Sequence, residues 1–398
     1  MNPFAVLASA LVLAAGIGFI ERISLARARR TVPIRVHVNG TRGKSTVTRL
    51  IHAALSEGGI PCLGKTTGTA ARHIFPDGSE KPVRRLSRPS IREQISVLGL
   101  AKKLKARALV AECMAIKPEL QWISENQILR SSIGVITNAR MDHVEEMGDS
   151  LEKIAASLGN TMSRQGVLFT ADPLVAKTLQ TRAKTRGTII ELVQALDPQD
   201  IDAAASLHLA GTALSRWWLA DAGLALAVAG HCGVKREIAL RGIAKARPDP
   251  GAARFVEIGN GLKALDASAA NDPESLLDIV NSMIGHEKEL LFVYNNRQDR
   301  LPRLMSFLSA GLPGTILVTG ANPGLLLSRR SGVRKGSQPS NQALFSKRSG
   351  KPSYVPSLRL SMELQRILTE ETAASGKTPR LVLCGNTKGW PVDLYGSL

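Results

Sequence analysis

The chain reads as an α/β protein with two sheet-bearing domains behind one apolar N-terminal helix, and three observations predict that class. A buried strand runs into a glycine-rich loop and an amphipathic helix between residues 34 and 58. Two more apolar stretches, Ala108–Ala111 and Ile133–Ile136, end in polar residues. The strand–helix rhythm then resumes beyond Pro248-Asp249-Pro250-Gly251, the strongest interior break. The expected organisation is a membrane anchor over 1–21, a basic juxtamembrane linker over 22–32, a phosphate-loop domain over 33–250 and a Rossmann-like domain over 251–398. A chain of 398 residues is long enough for two such cores.

At the N-terminus, Pro3–Ile20 carries no charge and is close to the shortest helix that crosses a bilayer. No Lys or Arg precedes it, which argues against a cleaved signal peptide. Arg22, Arg27, Arg29, Arg30 and Arg35 follow it, so the charge bias predicts a single-pass protein of the cell membrane, N-terminus outside and the remainder cytoplasmic. Lys plus Arg outnumber Asp plus Glu by 52 to 33, a net charge of +19 that favours an anionic partner. Aromatic residues make up only 4%, too few for the stacking platforms of single-strand binders, and no nucleic-acid partner is expected. The four cysteines form no CxxC pair, which disfavours a zinc site or a disulfide framework and suits a reducing compartment.

The first strand, Ile34–Val38, leads into Asn39, Gly40, Thr41, Arg42, Gly43, Lys44, Ser45 and Thr46. Small residues let backbone N–H groups turn toward phosphate oxygens, Lys44 adds a mobile charge, and the helix start adds its partial charge. Ser45 or Thr46 offers a hydroxyl to magnesium. Val38 stands where the common phosphate-loop pattern has its first glycine. Val47, Leu50, Ile51, Ala54 and Leu55 share one face of the following helix, and Gly58-Gly59 ends it. Glu112 closes a buried strand, where a carboxylate is costly unless it stays at the rim or meets a cation such as magnesium. Past the third strand, Asn138 is followed by Asp142 and His143, and Asp142 is placed to orient the imidazole for a metal or a phosphate oxygen. Ligands bind beyond the carboxyl ends of strands in such sheets, so these three ends predict one shared crevice.

Trp217–Gly230 is apolar nearly all round but too short to span a membrane, and reads as a buried helix. Strands are expected near Leu262–Leu265, Leu290–Tyr294, Thr315–Val318 and Leu381–Cys384. Residues 321–356 are rich in Gly, Ser, Pro and basic side chains, without an acid. That composition suits a solvated loop or a track for an anionic chain.

The loop Gly40–Thr46, the strand-end Glu112, and Thr137-Asn138 with Asp142-His143 together resemble the Mur ligase superfamily. Glu112-Cys113-Met114-Ala115, Met147-Gly148, Pro248–Ala252, Ala270–Pro273 and Asn295-Asn296-Arg297 with Asp299-Arg300 are most similar to its poly-γ-glutamate synthase ligase branch. The resemblance implies an ATP- and magnesium-dependent amide ligase that extends poly-γ-glutamate through an acyl phosphate. Its partners would be glutamate, the growing chain and other membrane subunits; self-association is left open. It further implies that Lys44, Glu112 and His143 are catalytic and that Ser45, Glu112 and His143 hold metal. Arg254, Asp266 and Asn271 would contact ATP, and Asp142, Asn295, Arg297 and Arg300 would lie near substrate. Two departures stand out: Ser157–Thr161 lacks the lysine that many relatives place there, and Asp221 stands where relatives often carry asparagine. Alternative readings are a folylpolyglutamate-synthase-like γ-glutamyl ligase and a membrane-tethered phosphate-loop ATPase that regulates a partner.

Overall fold

A computed structural model describes residues 3–67, 71–85, 89–200, 215–249, 252–258, 262–270, 272–285, 289–322, 353–354, 360–375 and 378–386. The chain divides into two compact units, Met1–His208 with Arg216–Asp249 and, separately, Leu209–Ser215 with Pro250–Leu398.

The first unit is built on a sheet of eight strands: β1 (Ile34–Asn39), β2 (Cys62–Lys65), β3 (Arg72–Ile74), β4 (Glu80–Pro82), β5 (Ala108–Glu112), β6 (Ile133–Ile136), β7 (Val167–Thr170) and β8 (Ile189–Leu192). Their order is β4-β3-β2-β5-β1-β6-β7-β8. All pairings are parallel except β2–β3 and β3–β4. β5 and β6 are apolar runs buried along their whole length, as central parallel strands covered on both faces must be. β1 lies between them, Val36 opposite Val110 on one side and Ile133 on the other. Its carboxyl end therefore shares one sheet edge with Glu112 and Thr137.

Helix α1 (Pro3–Thr31) is exposed along its apolar N-terminal part and is the one described helix long and apolar enough to cross a membrane. The segment expected as a linker from residue 22 is instead the continuation of this helix. Leu25, Ala28 and Val32 form a buried stripe against Leu98, Leu109 and Leu129, and that burial holds the basic segment helical. Arg29 Nε donates to the Ile128 carbonyl at 2.9 Å, and Arg35 Nη1 donates to the Val32 and Pro33 carbonyls at 2.7 and 3.0 Å. Charged donors thus satisfy carbonyls that the helix end and the turn after it leave open. Helix α2 (Lys44–Glu57) buries Val47, Leu50, Ile51, Ala54 and Leu55, the face anticipated from spacing. Arg216–His231 is a helix with a mostly buried apolar surface, as its composition predicted.

The second unit carries β9 (Arg254–Ile258), β10 (Leu262–Asp266), β11 (Leu290–Asn296), β12 (Thr315–Gly320), β13 (Ser353–Tyr354) and β14 (Arg380–Cys384). The order is β13-β12-β11-β14-β10-β9, parallel throughout except β9 against β10. The central β11 is buried at every position. Phe292, Tyr294, Leu304 and Phe307 fill the core on one face, while Leu291, Val293, Leu364 and Leu381 fill it on the other. Most of the basic 321–356 stretch lies outside the described residues, as do Pro250 and Gly251 of the predicted break.

Candidate active site at the carboxyl edge of the first sheet

The loop between β1 and α2 turns on two glycines. Gly40 has φ +132°, and a Cβ there would fall 1.9 Å from Thr137 Oγ1. Gly43 has φ +81°, in the left-handed region that disfavours a side chain. The segment just past β6 clamps the loop. Thr41 N–H donates to the Asn138 carbonyl (3.1 Å), Thr41 Oγ1 to Asn138 Oδ1 (2.8 Å), and Arg42 N–H to the same Oδ1 (3.2 Å). Asn138 Nδ2 returns a bond to the Arg42 carbonyl. Asn138 thus fixes the loop's backbone, a structural use of a side chain predicted to meet the nucleotide. Asn39 is likewise committed: it is buried, and its Nδ2 donates to Gln121 Oε1 and Thr161 Oγ1, both at 3.1 Å. Ser157 and Thr161, in the segment without the relatives' lysine, join this network through Gln121 and Asn39.

Lys44 opens α2. Its ammonium donates to the Gly40 carbonyl at 2.6 Å and reaches the Thr41 carbonyl at 3.4 Å. Burial lowers its pKa, opposed chiefly by the negative charge of Glu112. Ser45 Oγ donates to Glu112 Oε2 at 2.8 Å, and the Thr67 N–H donates to the same oxygen at 2.7 Å. Glu112 is 2% exposed, and its Oε1 has no hydrogen bond among the described residues. A hydroxyl and a carboxylate with a free oxygen, beside a phosphate-type loop, form the hard-oxygen donor set that magnesium completes with water and phosphate. The residues present fit that ion. Among the described residues no three His, Cys, Asp or Glu side chains converge on one point.

Asp142 and His143 sit on the loop after β6. Asp142 Oδ2 accepts from Arg42 Nη1 at 2.7 Å, and Oδ1 accepts from the His143 backbone N–H at 3.2 Å. The His143 ring is 3.9 Å from Asp142, so the expected side-chain bond orienting the imidazole is not formed. His143 occupies the left-handed region instead, at φ +47°, and its ring is about a third exposed. Burial pushes the Asp142 carboxyl up, but Arg42, His143 and Lys44 outweigh it and hold the group below its ordinary range. Lys44, Ser45, Glu112, Arg42 and Asp142 therefore share one neighbourhood at the sheet edge.

Several residues of this edge went unremarked in the sequence. His37 lies on β1 fully buried, its Nδ1 2.8 Å from Glu125 Oε2. Glu125 also accepts from Ser131 N–H and Oγ, and Gln94 approaches the other ring nitrogen. Burial disfavours the imidazolium, yet Cys113 and Glu125 prevail and raise its pKa to about 9. Asp172 accepts from Ala139 N–H at 2.9 Å while capping the helix Pro173–Arg186. The guanidinium of Arg140 stacks on Trp217 at 3.5 Å. A histidine inside an apolar strand was the available signal for the first of these; the others depend on contacts distant in sequence.

In the second unit, Arg254 and Asp266 are register partners across β9 and β10. Asp266 accepts from Ser268. Asn271 lies outside the described residues; its neighbour Asp272 caps the helix Pro273–Met283 through Ser275 N–H at 2.8 Å. Asn295 is buried and exchanges bonds with Asn386, each side-chain amide donating to the other's carbonyl at 2.8 Å. Arg297 is exposed and forks onto Asp299 at 2.9 and 2.7 Å; Arg300 reaches the same carboxylate at 4.0 Å.

Comparison with known proteins places this architecture. Residues 254–397 match the poly-gamma-glutamate synthase CapB C-terminal domain, and residues 38–212 match the Mur ligase middle domain. The chain is 34% identical over 316 residues to the PGA synthase CapB of Bacillus subtilis (strain 168), covering 77% of this chain and 78% of that protein. It is 35% identical over 295 residues to the capsule biosynthesis protein CapB of Bacillus anthracis, covering 71% of this chain but only 61% of that relative's length. Among solved structures, the folylpolyglutamate synthase of Mycobacterium tuberculosis, complexed with ADP and AMPPCP, superposes with a TM-score of 0.62 at 15% identity, covering 95% of this chain and 96% of that one. MurF from Acinetobacter baumannii gives 0.61 at 14% identity, over 92% of this chain and 76% of its own. These distant structures share the fold; the sequence relatives carry the kinship, and the chain belongs to the CapB family of Mur-ligase-type proteins.

Proposed function

We propose that this chain is an ATP-dependent amide ligase that lengthens poly-γ-glutamate. The observation that carries the reading is the cluster of Lys44, Ser45 and Glu112 on a glycine loop, in a chain one-third identical to a PGA synthase. The triphosphate would lie along Gly40–Thr46, where backbone N–H groups and the start of α2 oppose its charge. Magnesium, held by Ser45 and Glu112, would supply further charge neutralisation around the transferring phosphoryl group. Lys44 would leave the Gly40 carbonyl for the phosphates, stabilising charge that develops as the γ-phosphoryl passes to a glutamate carboxylate. That transfer forms an acyl phosphate and releases ADP. An incoming amine then attacks the acyl carbon, the C–O bond to phosphate breaks, inorganic phosphate leaves, and the amine's proton passes to solvent.

His143 belongs in this reading as a group facing the carboxylate, with Asp142 holding Arg42 beside it. From the second unit, Arg254, Asp266 and Asn271 are assigned to ATP and Arg297 and Arg300 to the acidic acceptor. The working domain limits are 33–250 and 251–398. α1 anchors the protein with its N-terminus outside and the ligase in the cytoplasm, beside other membrane subunits that handle the product.

The test is full-length protein in detergent or native membranes, supplied with ATP, magnesium and either enantiomer of glutamate, followed by mass analysis and isopeptide-linkage mapping. The expected result is γ-linked oligomers and ADP release that requires glutamate. ADP release indifferent to amino acid, or α-linked peptides, would overturn the assignment.

A further inference from the structure

Asp221 has no part in the mechanism above, yet its side chain abuts the phosphate loop. It lies on the helix Arg216–His231, 7% exposed, and no described group donates a hydrogen bond to either of its oxygens. A Cβ on Gly43 would sit 2.5 and 2.6 Å from those two oxygens, so the carboxyl group fills the space a side chain at residue 43 would need. Gly43 directly precedes Lys44, at the point where α2 opens toward the phosphates. A carboxyl group is thus built into the wall of a loop suited to a polyanion.

The charged groups around it do not offset that arrangement. Arg140, from the loop after β6, is the cation that acts on Asp221, and its guanidinium is stacked on Trp217. Arg216, on the same helix as Asp221, stacks on that same ring at 4.4 Å. From the loop and α2, Arg42 is paired with Asp142, and Lys44 is held by the Gly40 carbonyl. Burial outweighs Arg140 and raises the Asp221 pKa well above the usual carboxylate range.

We propose that Asp221 couples nucleotide binding to a proton: the triphosphate enters the loop only with this carboxyl group protonated. Where Asp221 is ionised, binding takes one proton from solvent onto its oxygen; where it is already neutral, none is taken. An ionised carboxylate this near the phosphates would repel them across a poorly hydrated gap. This inference rests on the nucleotide reading of the loop, and it makes Asp221 a positioning residue rather than a catalytic one.

The test is the affinity of full-length wild type and Asp221→Asn for magnesium and a non-hydrolysable ATP analogue between pH 6 and 10, with calorimetry in buffers of different ionisation enthalpy. The two proteins should bind alike at the acid end. Above the point where Asp221 ionises, wild type should weaken relative to the variant by up to about tenfold per pH unit, the slope for one linked proton. Wild type should also show proton uptake, beyond the nucleotide's own, that Asp221→Asn lacks. Should the variant not fold, wild-type uptake decides alone: none in excess of the nucleotide's own overturns the proposal. Parallel affinity curves would remove this role from Asp221 and leave the nucleotide site standing. No binding at any pH would overturn both.

Discussion

The carboxyl edges of the two sheets use similar residues to different ends. At the first, Asn138 fixes the loop and Asn39 is held by Gln121 and Thr161, while Lys44 rests on the Gly40 carbonyl and one Glu112 oxygen has no hydrogen bond among the described residues. At the second, Asn295 is buried and already bonded to Asn386, whereas Arg297 meets Asp299 in an exposed, solvent-screened pair. Buried hydrogen-bonding capacity without a partner among the described residues lies nearby, at Asn296 Oδ1 and Thr319 Oγ1. The difference teaches that a polar residue at a strand end serves a ligand only when the fold has not already spent its atoms.

The largest expected effects fall on the first edge. Lys44→Ala and Glu112→Ala should each lower the rate of glutamate-dependent ADP release by roughly 100-fold or more, the scale for losing one preorganised electrostatic group. Thermal melts should show both variants folded. Activity within tenfold of wild type would place the chemistry elsewhere. Gly40→Ala should act differently, through structure, because its Cβ would overlap Thr137 Oγ1 and its φ of +132° disfavours any side chain. We expect a loss of about 2 kcal/mol in denaturant unfolding, with activity falling alongside.

Beneath the first edge, the His37–Glu125 pair makes a prediction about pH. With a folded pKa near 9, above the 6.5 of an unperturbed histidine, the charged imidazole stabilises the fold fully below pH 6.5. That contribution is lost as pH rises toward 9. Urea midpoints should therefore fall over this window, by a total on the order of 3 kcal/mol for a shift of this size. His37→Gln should flatten the profile, and an unchanged slope would show that the pair carries no linked proton.

Local patterns were legible and distant contacts were not. The loop, the buried face of α2 and the strands Ile133–Ile136 and Leu290–Asn296 follow from composition and spacing within a few residues. β3 and β4 escaped notice because they are short strands, β4 at the sheet's edge and β3 next to it, whose pairing depends on neighbours rather than on their own pattern. Residues 22–31 looked like a linker by charge alone; Leu25 and Ala28 decided otherwise by finding a core face on another helix. Within the site, Lys44, Ser45 and Glu112 were readable as a set because a strand end fixes where such residues emerge. Asn39 and Asn138 were readable as polar but not as struts, since their partners lie on Gln121, Thr161 and Arg42.

The smallest effects would sharpen the comparison at the second edge. Arg297 is exposed, and its partner among the described residues is a near neighbour, so Arg297→Ala should change unfolding free energy by less than about 0.5 kcal/mol. If the residue meets the acidic acceptor, the same variant should raise KM for glutamate severalfold with kcat nearly unchanged. Asn295→Ala should do the reverse. It strands the Asn386 carbonyl that the Asn295 amide capped, at a cost of about 1–3 kcal/mol in stability, with KM moving little in the molecules that remain folded. A pair of outcomes in which Asn295 controls KM and Arg297 controls stability would invert the distinction between spent and available side chains. It would mean that Asn295 reaches substrate from a buried position on β11.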